Sequence, residues 1–438
     1  AFGRSDRRSI RAGGGPSVMI VDAGRRFDSG ISDYACLLAK AFARRGPTST
    51  LLIRSAAPRT TGLRRRAGLR MTGRRALPTV PVRPGIDGFC GRSVPAAVRF
   101  LRSRRPDVLV LQWRAGTMVH SSLLLAAIAA RQGTRVVLEW QQGQDLAGAR
   151  SPRSPRFPVS GGYARRVRGL LLARCDGHVV HSEHDAALLR TGGYPLRGPV
   201  QVAPIGPYDL GPAEAGVGRQ RSTFDAPDAT SVRTLLSFGA RQQDGVDDLV
   251  AAFDSLPDLV AARLRLVIVG ETRRGRAVAA RSQQGQITVL DGHQGDSDVR
   301  RLFGEADAVA LPYRRSSAPV SPQWLHLAMS AGLPVLVSGV GSLREAAAEY
   351  AGAVLTEPGD VADIARGLTD LLGRCGRSFP DPHSWTRTLD AYDHLFAGLG
   401  IAPVVRVTRA GRQTELTRDQ LVSQVVALSS PTMIGALR

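Results

Sequence analysis

Residues 307–345, DAVALPYRRSSAPVSPQWLHLAMSAGLPVLVSGVGSLRE, constrain the fold more tightly than any other part of the chain. The apolar run Ala308–Leu311 reads as a buried parallel strand that delivers Pro312–Pro322 as a loop at its carboxyl end. Trp324–Ala331 has helical spacing, Gly332 stops it, and Leu333–Val337 is the next strand. A glycine turn then ends on Glu345. Ligands of open α/β sheets lie in the crevice outside the carboxyl ends of the strands, so a unit of this order is suited to presenting a small molecule.

The same alternation runs through the rest of the chain. Strands are expected at Ser17–Val21, Thr50–Ile53, Val108–Gln112, Arg135–Glu139, Gly177–His181 and Val200–Ala203, with helices between most of them. The basic stretch 55–90 reads as loop. Gly, Pro, Ser and Asp dominate 211–231, the expected linker. A second alternation follows: strands at Thr234–Phe238, Leu264–Val269 and Gln286–Leu290, and helices at 246–255, 298–304 and Val361–Leu372. At 438 residues the chain can bury two cores. The expected fold class is therefore α/β, with two doubly wound Rossmann-like domains facing a central cleft. The expected parts are a disordered basic N-terminus (1–16), a first domain (17–210), the linker, a second domain (232–382), a terminal amphipathic helix (383–399) and a tail (400–438) with one helix at Thr417–Leu428.

Hydrophobic content of 43% and charged content of 22% are those of a globular chain. Ala1–Ser17 is rich in Arg and Gly and lacks the apolar stretch of a secretory signal, while the longest apolar run, Leu123–Ala130, is too short to span a bilayer. Cys36, Cys90, Cys175 and Cys375 are scattered without metal-ligand spacing, which suggests reduced thiols in a cytoplasmic protein and no metal site.

Net charge is +22, and its distribution is the informative part. Residues 1–210 carry 35 basic and 12 acidic side chains, against 24 and 25 in the remainder. All the basic residues but Lys40 are arginine; nucleotide composition can account for that bias but not for the asymmetry. Clusters at Arg64, Arg65 and Arg66, at Arg74 and Arg75, at Arg102–Arg105 and along Arg153–Arg168 would form an electropositive face. Such a face attracts anionic headgroups, at about 1 kcal/mol per basic residue near the surface. Nucleic acid is the weaker candidate, because aromatics are only 5% of the chain and no nucleic-acid module is present.

Several local segments together resemble the retaining GT-B glycosyltransferases of family 4, over roughly residues 17–398. They are DSGISDYACLLAKAFARRG, RCDGHVVHSEHDAALL, VAPIGPYD, LLSFGARQQDGVDDLVAAF, LRLVIVGE, ITVLDGHQGDSDVRRLFGEADAVALPY and the opening segment. The resemblance implies a basic acceptor domain, a nucleotide-sugar donor domain and a last helix returning to the first domain. It also implies a metal-independent transfer from a UDP- or GDP-type sugar, with no tightly bound cofactor. Ser29, Gly30 and Ile31 would form the first glycine loop, where backbone N–H groups and a helix N-terminus approach phosphate; a plain glycine turn before a packed helix is the competing reading. Gly239 and Arg241 would meet the diphosphate, Gly270 and Glu271 would follow the next strand, and Gly292 and His293 would sit near the base. Ser321, Leu327 and Glu345 complete the implied donor set, although Glu345 reads more readily as a cap on the next helix. Arg314 and Arg315 offer extra cations or a solvated pair. Gln141 and Asp145 occupy the region near the reacting sugar, where an amide can hold a hydroxyl but cannot shuttle a proton.

The chain departs from the family pattern at several of these places. The two glutamates expected around the donor loop correspond to Pro319 and Leu327, the histidine of the Pro-His-Gly exit to Ile205, and the phosphate-binding lysine to Asp244. His326 on its apolar helix reads as a core or cleft residue, and His178, His181 and His184 crowd one strand–helix junction. Three functions are therefore open: a hexosyltransferase acting on a glycan, lipid or small-molecule acceptor, in the cytoplasm or peripherally at the inner face of the membrane; a glycosyltransferase-like partner or regulator of an active enzyme; or a binder of anionic polymers.

Overall fold

The computed structural model describes residues 15–22, 30–54, 82–87, 94–113, 119–141, 161–209, 232–238, 244–270, 286–291, 294, 296–315, 323–401, 405–409 and 412–416. In the first half, seven parallel strands are β1 (Val18–Asp22), β2 (Thr48–Arg54), β3 (Val82–Asp87), β4 (Val108–Trp113), β5 (Arg135–Trp140), β6 (Gly177–Val180) and β7 (Val200–Val202), in the order β3-β2-β1-β4-β5-β6-β7. Between them run α1 (Gly30–Ala43), α2 (Val94–Arg104), α3 (Val119–Arg131), α4 (Gly161–Leu172) and α5 (Glu183–Thr191). The second half places β8 (Arg233–Phe238), β9 (Leu264–Gly270), β10 (Ile287–Asp291), β11 (Ala308–Leu311), β12 (Val335–Ser338) and β13 (Ala353–Thr356) in the order β10-β9-β8-β11-β12-β13. Its helices are α6 (Val246–Asp254), α7 (Asp258–Ala261), α8 (Asp296–Glu305), α9 (Gln323–Ser330), α10 (Gly341–Ala348) and α11 (Val361–Leu372). The winding repeats, and the order reverses at β1/β4 and at β8/β11, as in a pair of doubly wound sheets.

Strands covered on both faces read as continuous apolar runs, which is why β4 (VLVLQW) is buried at every position. One face of the first sheet packs on α2, α3, α4 and α5 through Leu101, Leu125, Leu171 and Leu189. Its other face receives Tyr34, Leu38 and Phe42 of α1, which is too narrow to cover it. The last helix, α12 (Trp385–Gly398), returns from the second half and fills the remainder with Leu389, Tyr392, Leu395 and Phe396. Phe42 meets Tyr392 edge-on at 5.1 Å and stacks on Phe396 at 6.0 Å. In the second half α6, α7 and α11 cover one face and α8, α9 and α10 the other.

Two glycines mark close approaches. Gly206 lies where the chain leaves the first half under the Trp385 ring, and a Cβ there would come within 2.5 Å of the indole. The indole Nε1 donates to Pro207 O at 2.9 Å. Gly245, at the start of α6, has φ of +70°, and a Cβ would meet Pro312 O at 1.7 Å.

Two local expectations change. The stretch 55–90, read as loop, contains β3: Pro84 and Gly85 hide its alternation, and an edge strand tolerates both because one side of its ladder is unpaired. The tail forms an antiparallel strand pair, β14 (Val405–Arg409) and β15 (Arg412–Leu416). The expected tail helix, the linker and residues 1–14 of the expected N-terminal segment lie outside the described residues.

Because Phe396 is 2% exposed between two aromatic rings, Phe396→Ala should remove about 3–5 kcal/mol of stability, measured as a shift in denaturant midpoint at unchanged slope. A loss under about 1 kcal/mol would mean that α12 is not a packed part of the first half.

Candidate functional site

The two halves enclose a cleft of about 390 Å³ at the carboxyl ends of β5, β6 and β7. The first half contributes Gln141, His181, Ser182, Glu183, Asp185 and Ile205, and the second contributes His326 from α9 and Glu345 and Glu349 from α10 and its end. His383 and Arg387 enter from the start of α12.

Contacts across the cleft explain its closed geometry. The Glu345 carboxylate accepts from the Glu183 and His184 N–H groups at 2.9 and 3.0 Å, so an acid of the second half caps α5 of the first. Those N–H groups have no partner within their own helix, and the helix dipole favours an anion there. Ser182 caps the same terminus locally by accepting from Asp185 N at 3.0 Å. Burial pushes the Asp185 carboxyl up, with the Ser182 hydroxyl opposing it. Arg387 donates to Glu349 through both terminal nitrogens, at 2.6 and 3.3 Å.

Beneath the cleft lies a buried polar chain. Glu139, fully buried in β5, accepts from the Gln112 amide of β4, and Gln112 in turn accepts from the amide of Gln141. His181 donates through Nδ1 to Ala203 O at 3.0 Å, and its Nε2 faces Glu139 Oε1 at 3.5 Å. Burial, and then the negative charge of Glu139, pushes the Tyr34 and Tyr392 phenols well above their ordinary value, so both remain hydroxyls. On the opposite wall, burial and then the neighbouring His383 push His326 down to about 3, leaving it a neutral imidazole. His383 Nδ1 lies 3.3 Å from Asp381 Oδ1, and Asp381 Oδ2 accepts from Ser330 Oγ at 2.9 Å. Burial tends to raise the Asp381 carboxyl, but its bonds from His383 and Ser330 outweigh it and hold it below its usual value. These are groups that orient hydroxyls and hold charge. No cluster that could hold a metal ion occurs among the described residues.

Of the residues singled out in the sequence, Gln141, His181, Ile205, His326 and Glu345 line the cleft. Glu345 also caps α5 through its bonds from the Glu183 and His184 N–H groups. Leu327, also in the implied donor set, is 6% exposed and packs from α9 into the apolar core. The Arg314 guanidinium forms a two-bond pair with Asp248 of α6. Arg315 pairs with Glu357 at 2.9 Å. Asp244 is buried at the start of α6. Gly270 ends β9, and Gly30 and Ile31 open α1. Ser29, Asp145, Gly239, Arg241, Glu271, Gly292, His293, Pro319 and Ser321 lie outside the described residues, as do Arg64, Arg65, Arg66, Arg74 and Arg75. The histidine trio divides: His178 is a core residue whose imidazole burial pushes down to about 4, His181 faces the cleft, and His184 lies against Gly341. Sequence reading missed Glu139, Gln112 and Asp381. The signal for the first two is a polar residue inside an otherwise apolar central strand.

Two family models match the chain, one for each half. Residues 29–206 match the glycosyl transferase 4-like domain and residues 232–374 the glycosyl transferases group 1. The chain belongs to the GT-B glycosyltransferases. Solved structures agree on the fold. Anabaena HepE in complex with UDP is 15% identical with a TM-score of 0.51, and the match covers 94% of this chain and 100% of that one. Sucrose-phosphate synthase from Thermosynechococcus elongatus is 16% identical with a TM-score of 0.53 over the same shares. A glycosyltransferase from Rickettsia africae is 11% identical with a TM-score of 0.51, covering 94% and 97%. A search by sequence among curated proteins finds no match.

The Arg387–Glu349 pair makes a testable contribution. The Arg387 guanidinium holds Glu349 below the ordinary glutamate value of 4.5. A depressed carboxylate contributes stability above its unfolded value and loses it as pH falls through the folded one. Arg387→Ala should therefore cost less than about 1 kcal/mol at pH 7, since both ends are partly solvated, and the difference from wild type should close near pH 3. Urea midpoints at the two pH values measure it, and an equal gap at both would rule the pair out as the cause.

Proposed function

We propose that the protein transfers a sugar from a nucleotide-diphosphate donor to an acceptor, with retention and without a metal ion. The observation that carries this reading is the polar cleft between two halves that each match a glycosyltransferase model. Anabaena HepE was solved with UDP and with UDP and glucose, which favours a UDP-type hexose donor over a GDP-type one. Residues 17–210 would hold the acceptor and 232–382 the donor, with 383–399 as the returning helix. Gln141 would stand nearest the reacting sugar, where its amide can hold a hydroxyl. Gly30, Gly270 and the loops carrying Ser29, Gly239, Arg241, Glu271, Gly292, His293 and Ser321 would meet the nucleotide. Asp145 would approach the reacting sugar. The arginines of 64–75 would bring the acceptor half to an anionic membrane surface at the cytoplasmic face, and no helix among the described residues is long and apolar enough to cross a bilayer.

A second reading, a partner of an active enzyme with its own catalysis lost, is favoured by three placements. Leu327 is core, Asp244 is an acid at the start of α6, and Arg314 is neutralised by Asp248. An acid beside a phosphate site repels the phosphate unless a cation offsets it.

Calorimetry with UDP, GDP, UDP-glucose and GDP-mannose separates the two. Saturable binding of a UDP ligand supports transfer, whereas absence of binding by all four leaves the partner reading. For the surface claim, flotation with anionic vesicles should recover the protein at low salt and lose it at high salt. Reversing the charges of Arg64–Arg66 and Arg74–Arg75 should weaken that recovery, and equal recovery with neutral vesicles would defeat the claim.

A further inference from the structure

The cleft differs in charge from the chain that builds it. The protein carries a net charge of +22. The described residues lining the cleft nevertheless include four carboxylates, Glu183, Asp185, Glu345 and Glu349, against one guanidinium, Arg387, and that one already donates twice to Glu349. The Asp185 carboxyl has Ser182, His181, His184 and Glu345 acting on it, and no arginine. His326 adds no positive charge, because burial and then His383 push it down to about 3. Two N–H groups at the start of α5, which suit an anion, are already taken by Glu345. A phosphate brought here meets like charge, and the penalty grows as walls of low dielectric exclude water. An ammonium meets opposite charge.

A second observation is independent of that charge. His326 is 5% exposed, lines the cleft and meets the His383 ring edge-on at 5.2 Å, yet makes no hydrogen bond among the described residues. A neutral imidazole has one donor and one acceptor nitrogen, and leaving them without partners when buried costs free energy. Beside it, His383 turns Nδ1 to Asp381 Oδ1 at 3.3 Å, which leaves Nε2 for the cleft. Hydroxyls satisfy both kinds of nitrogen. Position is the third observation. A nucleotide of an open α/β sheet lies where the strand order reverses, which in the first half is β1/β4. β6 and β7 stand two and three strands beyond β4, about 10 and 14 Å away at the usual strand spacing. We infer that the β6–β7 side of the cleft is a subsite for an amine-bearing polyol, an amino sugar or aminocyclitol, whose ammonium is held by the carboxylates, Asp185 foremost, and whose hydroxyls meet His326 and His383. A nucleotide diphosphate is not its ligand. The inference deepens the proposed transfer and rests on it only for calling this ligand the acceptor; the charge and the open imidazole stand without it.

Three sugars of one ring size test it: glucosamine, glucose and glucose 6-phosphate, titrated at neutral pH into the full chain labelled with nitrogen-15 at histidine. His326→Asn and His383→Asn assign the two imidazole signals. Glucosamine should move both signals at a concentration about tenfold below that needed for glucose, the scale of one added ion pair in a partly closed cleft, and glucose 6-phosphate should move neither. Asp185→Asn should bring glucosamine down to the level of glucose and leave glucose unchanged. The proposal is overturned if glucose 6-phosphate acts as readily as glucosamine, if all three sugars leave both imidazoles unmoved, or if the preference for glucosamine survives in folded D185N. Should D185N not fold, the three sugars on wild type decide alone. Calorimetry with UDP separates this result from the transfer reading. UDP binding without a response to glucosamine would end the subsite and keep the transfer. A glucosamine response in a protein that binds no nucleotide would keep the subsite and end its assignment to an acceptor.

Discussion

The structure depends on the return of its last helix. A sheet with α1 on one face leaves apolar strand surface that no element of its own half can cover, and α12 covers it with Leu389, Tyr392, Leu395 and Phe396. At about 25 cal/mol per Å² removed from water, aromatic side chains of this size are the strongest apolar ties available between the halves. The helix begins beside the cleft and ends in the core, so the residues that anchor it also present His383 and Arg387 to a ligand. Its start is further fixed by the Trp385 indole over Gly206 and by Thr388 donating to Pro204 O at 2.7 Å. The joint between the halves is consequently built from packed rings and short backbone contacts.

Much of this fold is legible in the sequence. Strands such as VMIVD and VLVLQW are mostly apolar because parallel sheets are buried on both faces, and Gly332 stops α9 where the periodicity ends. What escapes is decided by position in the sheet. VRPGID carries two residues that argue against a strand, and only its place at the edge makes them tolerable. The C-terminal strand pair has a plain alternation, VRVTR and RQTEL, but it follows a helix that already completes the two-domain plan.

The site is less legible than the frame. Gln141 and His326 stand out because they follow or interrupt an apolar element, and both line the cleft. Glu345 stands out as well, but its partner is an N-terminus 162 residues away in sequence, a contact no local pattern reveals. Leu327 and Arg314 illustrate the opposite limit. A position matched to a family says where a side chain starts, whereas apolar packing and Asp248 decide where it ends. Glu139 is the residue most easily passed over. One acid in a central strand looks like an error in the apolar pattern until the tyrosines, glutamine and histidine gathered around it are seen together.

The cap that Glu345 places on α5 has a consequence for charge. It is a contact between a carboxylate and two backbone N–H groups, and each side can be satisfied separately by dissolved ions or water once the halves part. Aromatic packing around α12 is insensitive to salt, whereas a carboxylate on a helix terminus is a contact for which small anions compete. A glutamate of one half thus occupies, on the other, a place that suits an anion.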